Sequence, residues 1–597
     1  MRVISLDFET YYSETCSVGD LAPRAYVNHP EFYAYMASVS DGEETWAGDL
    51  ADFNPESLRG NIVVSHNAAF DRTVASKVWG PLEGLGIAEW NCTANLAACL
   101  CGRRSLADAV HHLFGVQLSK AMRSYMKGRH WRDVKNTPEG TQLLAYAKDD
   151  AIWCRKIWTD FLVYWGDFER QLSLLTIEAS ANGVQVDCTL LDTYLLATNR
   201  QLYEIEKKLP WVQTGGKPTS PKAIAIECRK HGIPCPPVKD EDEDLYEEWE
   251  ETYKDQFEWV LQVGEWRSCN KLLKTLQRLE LRTEADGEMD TPLKFFGAQT
   301  GRWSGDNGVN LQNLRKDAPT YGGVDINMRA LFVARPGCKL IVADLEQIEP
   351  RCLAWCTGDW KFLEMVGAGM SPYEAHARIS MGWTGGKLKD EAPDLYALNK
   401  AMVLALGYGC GAERFIQMAW NYCELDLPLN RSQEIVADFR TRNPKIVGIW
   451  NELERGLIQS VGQDFEVVLP SGRILLYADV RRSVKIKTLK DPLTGKISTS
   501  KKAGTMATSF GRKTFFYGGK LCENLIQAMA RDVFGVGLLR LRAAGYKILF
   551  TVHDEVVIET PMDADPAEVK RIMEQPIEWA PGLPVAAEVK EMQVYRK

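Results

Sequence analysis

Residues 340–351 read Leu340-Ile341-Val342-Ala343-Asp344-Leu345-Glu346-Gln347-Ile348-Glu349-Pro350-Arg351, and this stretch decides the fold expected for the C-terminal half. The apolar run 340–343 has the length and β-branched content of a buried strand. It ends in a carboxylate, Asp344, and Glu349 follows five residues later. An acid at a strand end can hold a metal ion, but the helix dipole also favours acids in a first helical turn. This stretch alone leaves the two interpretations equal.

A second acidic stretch lies about two hundred residues downstream and decides between them. His553, Asp554 and Glu555 are flanked by apolar arms at 548–552 and 556–558, which predicts a strand, a tight turn and a second strand. Two uncompensated carboxylates in a dry site cost several kcal/mol, so packing does not explain them. Asp344 and Asp554 on neighbouring strands would instead hold two Mg²⁺ ions for phosphoryl transfer.

A helix is predicted between these acids, at residues 399–411. Lys400, Leu404 and Tyr408 are four residues apart and would share one face. A cation, an apolar side chain and an aromatic ring suit a triphosphate, a sugar and a base. The nearby glycines are not a dinucleotide fingerprint, because no strand precedes them.

The N-terminus carries a second set of acids. Residues 3–8 are predicted to form a strand with Asp7 and Glu9 on one side, because side chains alternate along a strand. Asp71 follows another short strand at 61–67, and Tyr146 and Asp150 share one face of a helix. Hard oxygen ligands suit Mg²⁺ or Mn²⁺, and two such ions activate water against a phosphodiester. The alternative is a set of ordinary surface acids.

The composition is that of a globular protein, and the length predicts three to five domains. It has 597 residues, of which 45% are hydrophobic and 25% charged, and a net charge of −9. No apolar run approaches a membrane span, no secretory signal core is visible, and the fifteen cysteines show no metal or disulfide spacing. We therefore expect reduced thiols, a cytoplasmic location and no membrane partner.

Charge is distributed unevenly along the chain. The run 240–244 is five consecutive acids, and we expect it to be a solvated tip. Residues 481–520 contain eleven Lys and Arg against one acid. Their glycine, serine and threonine content predicts a mobile loop, either passive or in contact with duplex DNA. Arg267, Lys271, Lys274 and Arg278 predict one basic helical face, either a solvated surface or a contact to a phosphate backbone.

Together these motifs resemble the family A DNA polymerases, the DNA polymerase I type, and especially phage-encoded members. Residues 300–313 resemble the thumb–palm junction, 344–351 motif A, 400–409 motif B and 553–555 motif C. The N-terminal acids resemble the DEDD-type 3′–5′ proofreading exonucleases with Tyr in the third motif, and residues 103–108 resemble the connecting helix of such domains. Ahead of residue 3 we expect no 5′-nuclease domain.

The resemblance implies a role for each matched residue. Asp344, Leu345 and Asp554 would lie at the catalytic metals with Glu555 nearby, and Lys400 would bind the triphosphate and protonate pyrophosphate. Glu349 would be the steric gate against a ribose 2′-hydroxyl. Asp7, Glu9, Asp71 and Asp150 would hold the exonuclease metals and Tyr146 would orient the attacking water. Contacts to DNA or nucleotide are implied for Arg302, Gln312, Arg315, Leu404, Tyr408, Gln527 and His553, and residues 523, 527, 531 and 532 would form a helix against primer and template.

The implied fold combines α/β and α+β domains. A ribonuclease H-like exonuclease domain at 1–165 would precede a helical thumb region at 166–295 and a palm and fingers domain at 296–597, with fingers at about 360–465. Two Mg²⁺ ions per active site, replaceable by Mn²⁺, are the implied cofactors. Primer–template DNA, deoxynucleoside triphosphates and replication accessory proteins are the implied partners of a monomer in a bacterial host cytoplasm.

Two departures from the family pattern stand out. Tyr396 occupies the position where the family commonly has Arg, so Arg315, Lys387 or Lys389 would have to compensate. Leu404 stands where the family often has an aromatic residue.

Two alternative functions are a metal-dependent exonuclease whose C-terminal half only grips nucleic acid, and a single-subunit RNA polymerase. Asp344, Lys400 and Asp554 argue against the first, and Glu349 with the exonuclease motifs against the second.

Overall fold

The computed structural model describes residues 2–237, 243–306, 309–314, 318–490 and 497–596. Part of the acidic run 240–244 and the whole of Arg315 lie outside these residues. The N-terminal elements are β1 (Val3–Thr10), α1 (Val18–Asn28), β2 (Ala34–Ser40), β3 (Thr45–Asp49), β4 (Ile62–Ser65), α2 (Ala68–Trp79), α3 (Leu82–Leu85), β5 (Glu89–Cys92), α4 (Thr93–Cys101), α5 (Leu106–Phe114), α6 (Ala121–Met126), α7 (Trp131–Val134) and α8 (Pro138–Phe161).

These N-terminal elements surround a five-stranded mixed sheet with the order β3-β2-β1-β4-β5. The central strand β1 is antiparallel to β2 and parallel to β4. Alternation along β1 buries Leu6 and Phe8 in the core and leaves Asp7 and Glu9 on the other side, as the sequence predicts. Helix α8 packs against β1 and β2, which brings its acidic face to those two carboxylates.

The middle of the chain is mainly helical. Its elements are α9 (Asp167–Asn182), β6 (Val184–Val186), α10 (Cys188–Lys207), α11 (Pro221–His231), α12 (Glu243–Tyr253), α13 (Glu258–Arg282), β7 (Glu288–Met289) and β8 (Leu293–Lys294). The long helices α10 and α13 pack against each other. Ser220 caps α11 by accepting a hydrogen bond from the Ala223 backbone N–H at 3.4 Å, and Pro221 occupies the first helical position.

The C-terminal half holds the remaining elements: β9 (Ser304–Gly305), β10 (Thr320–Tyr321), β11 (Val324–Asp325), β12 (Phe332–Val333), β13 (Cys338–Leu345), α14 (Ile348–Thr357), α15 (Trp360–Gly367), α16 (Pro372–Ser380), α17 (Leu388–Glu391), α18 (Pro393–Leu406), α19 (Ala412–Cys423), α20 (Leu429–Arg442), α21 (Pro444–Gln459), β14 (Phe465–Val468), β15 (Ile474–Lys490), β16 (Ile497–Ser509), β17 (Arg512–Phe516), α22 (Gly518–Ala543), β18 (Lys547–Val552), β19 (Glu555–Pro561), α23 (Pro566–Met573) and β20 (Ala587–Met592).

A four-stranded antiparallel sheet with the order β18-β19-β13-β20 carries both acidic motifs. The predicted buried strand is β13, an inner strand whose residues 340–343 are almost fully buried. Its two faces serve two cores: Leu340 and Val342 face one cluster, and Ile341 and Ala343 face the other. This double burial explains why the strand is a continuous apolar run rather than an alternating one.

The loop predicted within residues 481–520 is wrong. Strands β14 to β17 form an antiparallel sheet in sequence order, and β15 and β16 pair continuously from Arg481 and Met506 out to Lys490 and Ile497. The chain reverses between β16 and β17 at Phe510 and Gly511, which both have positive φ, as a two-residue hairpin turn requires.

A buried ion network joins three parts of the chain. Arg531 on α22 donates both terminal nitrogens to Glu169 on α9, at 2.5 and 2.8 Å. Asp532 accepts hydrogen bonds from Arg473, at 2.9 Å, and from Arg531, at 3.2 Å. The Arg531 guanidinium also lies 4.9 Å from the centre of the Trp303 ring. Arg531 and Asp532 are thus buried within the fold, and contact of α22 with primer and template stays a prediction.

We predict that Arg531→Met lowers the free energy of unfolding by about 3–5 kcal/mol, because breaking a buried pair leaves charge uncompensated. Urea unfolding followed by circular dichroism measures the change. The double variant Glu169→Leu/Arg531→Met should lose less than Arg531→Met alone, since it removes both partners.

The exposed pair between Arg571 and Glu568, 3.5 Å apart, provides the control. Arg571→Met should leave the unfolding midpoint in place. Equal, small effects of Arg531→Met and Arg571→Met would contradict a stabilising role for the buried network.

Candidate active sites

The first candidate site lies where β13 meets the hairpin of β18 and β19. Asp344 pairs in register with Glu555, and the Leu345 backbone N–H donates to the Asp554 carbonyl oxygen at 3.2 Å. Asp554 lies in the two-residue turn of the hairpin, as predicted, after His553 with φ +55°. Burial and the neighbouring Asp344 raise the pKa of the Asp554 carboxyl to about 6. The two carboxylates are therefore close enough to repel each other, an arrangement that a divalent cation relieves.

Glu555 has a different environment from the other two acids. It is buried and accepts a hydrogen bond from the Tyr595 hydroxyl at 2.5 Å. Burial, with the charge of Glu555, raises the pKa of Tyr595, so the phenol stays protonated and keeps donating. Glu555 is thus held beside the acidic pair, while His553 is exposed at the tip of the turn.

Glu349 is held in place from both sides. It begins the first turn of α14 and accepts hydrogen bonds from Arg302 and from the Tyr408 hydroxyl, the latter at 3.1 Å. Burial and the charge of Glu349 raise the pKa of the Tyr408 phenol. Arg302, Glu349 and Tyr408, predicted separately from three motifs, form one hydrogen-bonded group. The guanidinium of Arg302 also lies close enough to lower the pKa of Asp554, so this group borders the acidic pair.

The motif B prediction is only partly right. Lys400 and Leu404 lie on α18, but the helix ends at Leu406, so Tyr408 follows the helix rather than extending its face. The Lys400 Nζ donates to the Tyr422 carbonyl oxygen on α19 at 3.3 Å, and Leu404 is half-buried. The Tyr396 ring packs edge-on against Tyr373 with 5.5 Å between centroids.

Other predicted contacts are distributed around this site. Gln527 on α22 donates to Glu523 at 3.2 Å, and the charge of Glu349 contributes to raising the pKa of Glu523, so this face of α22 points towards the site. Gln312 is buried in a short 3₁₀ turn that Asn310 caps. Lys387 and Lys389 are exposed, so the cation that replaces the missing Arg stays a prediction.

The second candidate site is the N-terminal acidic cluster. Ligand oxygens of Asp7, Glu9 and Asp150 lie within 4.8 Å of one another. Asp71 is buried beside them and its Oδ1 has no hydrogen-bond partner within the described residues. The Tyr146 phenol hydrogen-bonds to Asp150, one turn further along α8. The predicted four acids and tyrosine therefore converge, in a cavity of about 660 Å³.

The electrostatics of this cluster favour either protonation of the carboxyls or a bound cation. Burial, then repulsion from neighbouring acids, raises the pKa of Glu9 to about 8, and burial likewise raises that of Asp7 and Asp71. Burial raises the pKa of Asp150 to about 6. Hard oxygen ligands packed this tightly, one of them an unpartnered buried atom, fit Mg²⁺ or Mn²⁺.

Two residues of these sites were missed from the sequence. Arg123 on α6 lines the N-terminal cavity, and its charge offsets part of the rise in the pKa of Asp7, Glu9 and Asp150. Tyr595 holds Glu555 from near the C-terminus. Neither belongs to a local pattern: Arg123 lies on a six-residue helix and Tyr595 follows the last strand. Only the tertiary fold brings them to the acids.

Comparison with known proteins shows which family the chain belongs to. The sequence model of DNA polymerase family A matches residues 240–594, which is more than half of the chain. The chain belongs to DNA polymerase family A. It is 29% identical to the DNA polymerase of Bacillus phage SP02, with 100% of each chain covered. It is 24% identical to DNA polymerase I of Aquifex aeolicus, over 91% of this chain and 90% of that one.

A solved structure has the same overall fold as this family A polymerase. The POL domain of Pol1 from M. smegmatis, in complex with DNA primer-template and dNTP, superposes with a TM-score of 0.65. The alignment covers 99% of this chain and 95% of that chain at 16% identity. The likeness therefore includes the N-terminal sheet as well as the C-terminal half. Within the described residues, no helix of the polymerase is both long and apolar enough to cross a membrane.

We predict that Glu9→Gln raises the urea midpoint of the metal-free polymerase at pH 8. The pKa of Glu9 lies above its usual 4.5, at about 8, so the folded state holds a proton that the unfolded state has released. Stability is therefore lost as the pH rises from about 4.5 to about 8, and the substitution removes this loss. Unfolding series in EDTA at both ends of this pH range measure it.

Below about pH 4.5 the variant and the parent should converge, because Glu9 is then protonated in both states. The exposed acid Glu83 provides a matched substitution, Glu83→Gln, that should leave the midpoint unchanged at both pH values. A lower midpoint for Glu9→Gln at pH 8 would show that the glutamate charge stabilises the fold.

Proposed function

We propose that the chain extends a DNA primer by two-metal phosphoryl transfer and removes nucleotides from the 3′ end at a separate site. The observation that carries the first activity is the approach of Asp344 and Asp554 at one end of the central sheet. Two Mg²⁺ ions, when bound there, would activate the primer hydroxyl and stabilise the leaving pyrophosphate oxygen. Membership in DNA polymerase family A supports this assignment.

In this proposal each neighbouring residue binds or orients the substrates. Asp344, the Leu345 backbone and Asp554 hold the metals, and Glu555 is kept beside them by Tyr595. Lys400 turns from the Tyr422 carbonyl to the triphosphate and gives a proton to the leaving pyrophosphate. Tyr408 and Leu404 border the base and sugar. Arg302, Gln312, Gln527 and His553 contact primer or template.

Glu349 excludes ribonucleotides. A carboxylate fixed on both sides, by Arg302 and by Tyr408, cannot rotate away from a ribose 2′-hydroxyl without losing two hydrogen bonds. A rigid side chain is a more effective steric barrier than a freely rotating one. This rigidity supports selection of deoxynucleoside triphosphates.

The 3′–5′ exonuclease activity is assigned to the N-terminal cluster. Asp7, Glu9, Asp71 and Asp150 hold the metals and Tyr146 orients the attacking water. The support is their convergence in one cavity and the electrostatic demand of four buried acids for cations. Residues 1–165 would be the exonuclease domain, 166–295 the thumb region and 296–597 the palm and fingers.

The basic face of α13 gives the proposed thumb a surface for DNA. Arg267, Lys271, Lys274 and Arg278 line one groove of the helix, as their spacing predicts. Contacts from such a face to phosphates give affinity that is independent of sequence and sensitive to salt. Primer–template DNA and deoxynucleoside triphosphates are thus the proposed partners.

We predict that Asp554→Ala abolishes primer extension and leaves degradation of a single-stranded oligonucleotide intact, whereas Asp7→Ala does the reverse. The loss should exceed roughly 100-fold, because even changes to residues that only hydrogen-bond to the ligands of a metal cost roughly 10–100-fold. Both activities are measured with Mg²⁺ on one purified sample of each variant.

The exposed acids Asp563 and Asp52 provide matched alanine variants that should keep both activities. A folded Asp554→Ala protein that loses both activities would contradict two separate sites. An Asp7→Ala protein that degrades single strands at the parental rate would refute the N-terminal assignment.

We also predict that Glu349→Ala raises ribonucleotide incorporation relative to deoxynucleotide incorporation by at least about tenfold, a free-energy difference of about 1.4 kcal/mol. Primer extension with each nucleotide alone measures the ratio of kcat/KM values. Tyr408→Phe, which removes one of the two hydrogen bonds to Glu349, should shift the ratio in the same direction by less.

Glu346→Ala, three residues before Glu349 on an exposed surface, is the control and should keep the parental ratio. An unchanged ratio in Glu349→Ala, with extension by deoxynucleotides retained, would show that Glu349 is not the gate.

A further inference from the structure

A two-stranded ribbon extends from the sheet of β14 to β17. Strand β14 pairs with β15 only at 474–477, and β17 pairs with β16 only at 505–509. Beyond those residues β15 and β16 have only each other, over eight successive pairs from Ser483 with Gly504 to Lys490 with Ile497. At about 3.4 Å per residue this part is about 25 Å long.

The described side chains of this ribbon are exposed on both faces. Because side chains alternate along a strand, Arg482 and Lys501 lie on one face and Arg481 and Lys502 on the other, and all four are exposed. The exposed fraction of Val484, between them in sequence, is 51%. An isolated pair of strands is only marginally stable in water, and within the described residues no third strand pairs with this part of the ribbon, so we expect a binding partner to stabilise it.

Charge defines the partner that the ribbon fits. Residues 481–504 contain eight Lys and Arg and one acid, in a chain of net charge −9. Among the described cations, Arg481 shares an ion pair with Asp479 at 3.5 Å. A basic arm on a chain that is acidic overall matches a polyanion.

The composition also distinguishes duplex from single-stranded DNA. Proteins that hold single strands stack bases on aromatic rings, and residues 481–504 contain no Phe, Tyr, Trp or His. Lys, Arg, Ser and Thr side chains instead contact phosphates. A two-stranded ribbon is also narrow enough to enter the major groove of a duplex.

The root of the ribbon contacts both the N-terminal domain and the helix α22. The turn at Phe510 and Gly511 packs against the N-terminal domain so closely that a Cβ on Gly102 would come within 2.8 Å of the Phe510 ring. On the other side, Arg473 at the start of β15 donates to Asp532 on α22. The arm is therefore anchored both to the exonuclease cluster's domain and to the helix that borders the polymerase site.

We propose that the β15–β16 ribbon is a DNA-binding arm that grips the double-stranded part of the primer–template through its phosphates. This inference rests on the proposed function, since the duplex is the substrate of that activity. The arm adds affinity for DNA without sequence preference. Because it is anchored beside both proposed sites, it keeps the duplex bound while the primer end is extended or removed.

The direct test is the variant Arg481→Gln/Arg482→Gln/Lys501→Gln/Lys502→Gln. Fluorescence anisotropy measures its dissociation constant for a labelled primer–template duplex, and for the primer strand alone, over a series of salt concentrations. Each lost phosphate contact reduces the slope of log K against log salt by about 0.9, so we expect a reduction of about three to four for the duplex and little change for the single strand.

A charge-matched control replaces four exposed cations on other surfaces: Arg59→Gln/Lys77→Gln/Arg571→Gln/Lys590→Gln. This control should keep the parental slope. If the ribbon variant keeps the parental slope of log K against log salt for the duplex, and its Tm is unchanged, the proposal is overturned. The cations would then serve to protect exposed strand edges against aggregation. A loss confined to the single strand would also overturn it.

A second variant covers the case in which the quadruple variant is unstable. Ser483 and Gly504 pair with each other, so replacing residues 484–503 by Gly-Gly closes a short hairpin and keeps the sheet at the root. It should bind the duplex more weakly and with a shallower salt slope than the parent; parental affinity and slope would overturn the proposal. Primer extension by the parental protein tests the proposed function separately, because that activity does not depend on the outcome for the ribbon.

Discussion

The buried network of Arg473, Arg531, Glu169 and Asp532 is the interaction that holds the sites in register. Its two positive and two negative charges are balanced, and buried charges are tolerated only when they are paired and hydrogen-bonded. Arg473 also donates to the Thr300 carbonyl oxygen at 3.0 Å. The network therefore fixes the turn that contains Thr300, the helix α22, and the helix α9 that follows the N-terminal domain. Arg302 can reach Glu349 because residues on both sides of it are held.

Burying the two acidic clusters has an electrostatic cost in free energy that the fold alone does not offset. The pKa of Asp554 and that of Asp150 both lie at about 6, and that of Glu9 at about 8, because these carboxylates are buried close to other acids. The two clusters share this electrostatic character although one lies on a mixed sheet and the other on an antiparallel sheet. Bound divalent cations would relieve both, which would link the stability of each site to the ligand of its proposed chemistry.

The periodicity of the sequence correctly predicts those parts of the fold that depend on a single strand or helix. The apolar run before Asp344, the alternation around Asp7 and the four-residue spacing of Tyr146 and Asp150 are local patterns, and the structure has these elements. The spacing of Lys400, Leu404 and Tyr408 predicts too long a helix, because it runs across Gly407 although glycine favours a helix end. The positive φ of Gly409 confirms that the chain turns there.

The ribbon and the buried arginines show where such reasoning stops. Residues 481–504 are rich in Lys, Ser and Thr, a composition that favours a loop and outweighs the short alternation Val484-Lys485-Ile486-Lys487. The burial of Arg531 has no local signal, because arginine is rarely fully buried and its partners Glu169 and Trp303 are hundreds of residues away. Tyr595 and Arg123 likewise join their sites through contacts that no spacing encodes.

Anomalous diffraction from crystals grown with Mn²⁺ tests directly whether both clusters bind metal. Metal peaks are expected at two places in the same crystal, one among the carboxylates of Asp344 and Asp554 and one among those of Asp7, Glu9, Asp71 and Asp150. The N-terminal peak serves as an internal control for soaking. Crystals with that peak, and with no metal between Asp344 and Asp554 in the presence of primer–template and nucleotide, would contradict the proposed two-metal polymerase site.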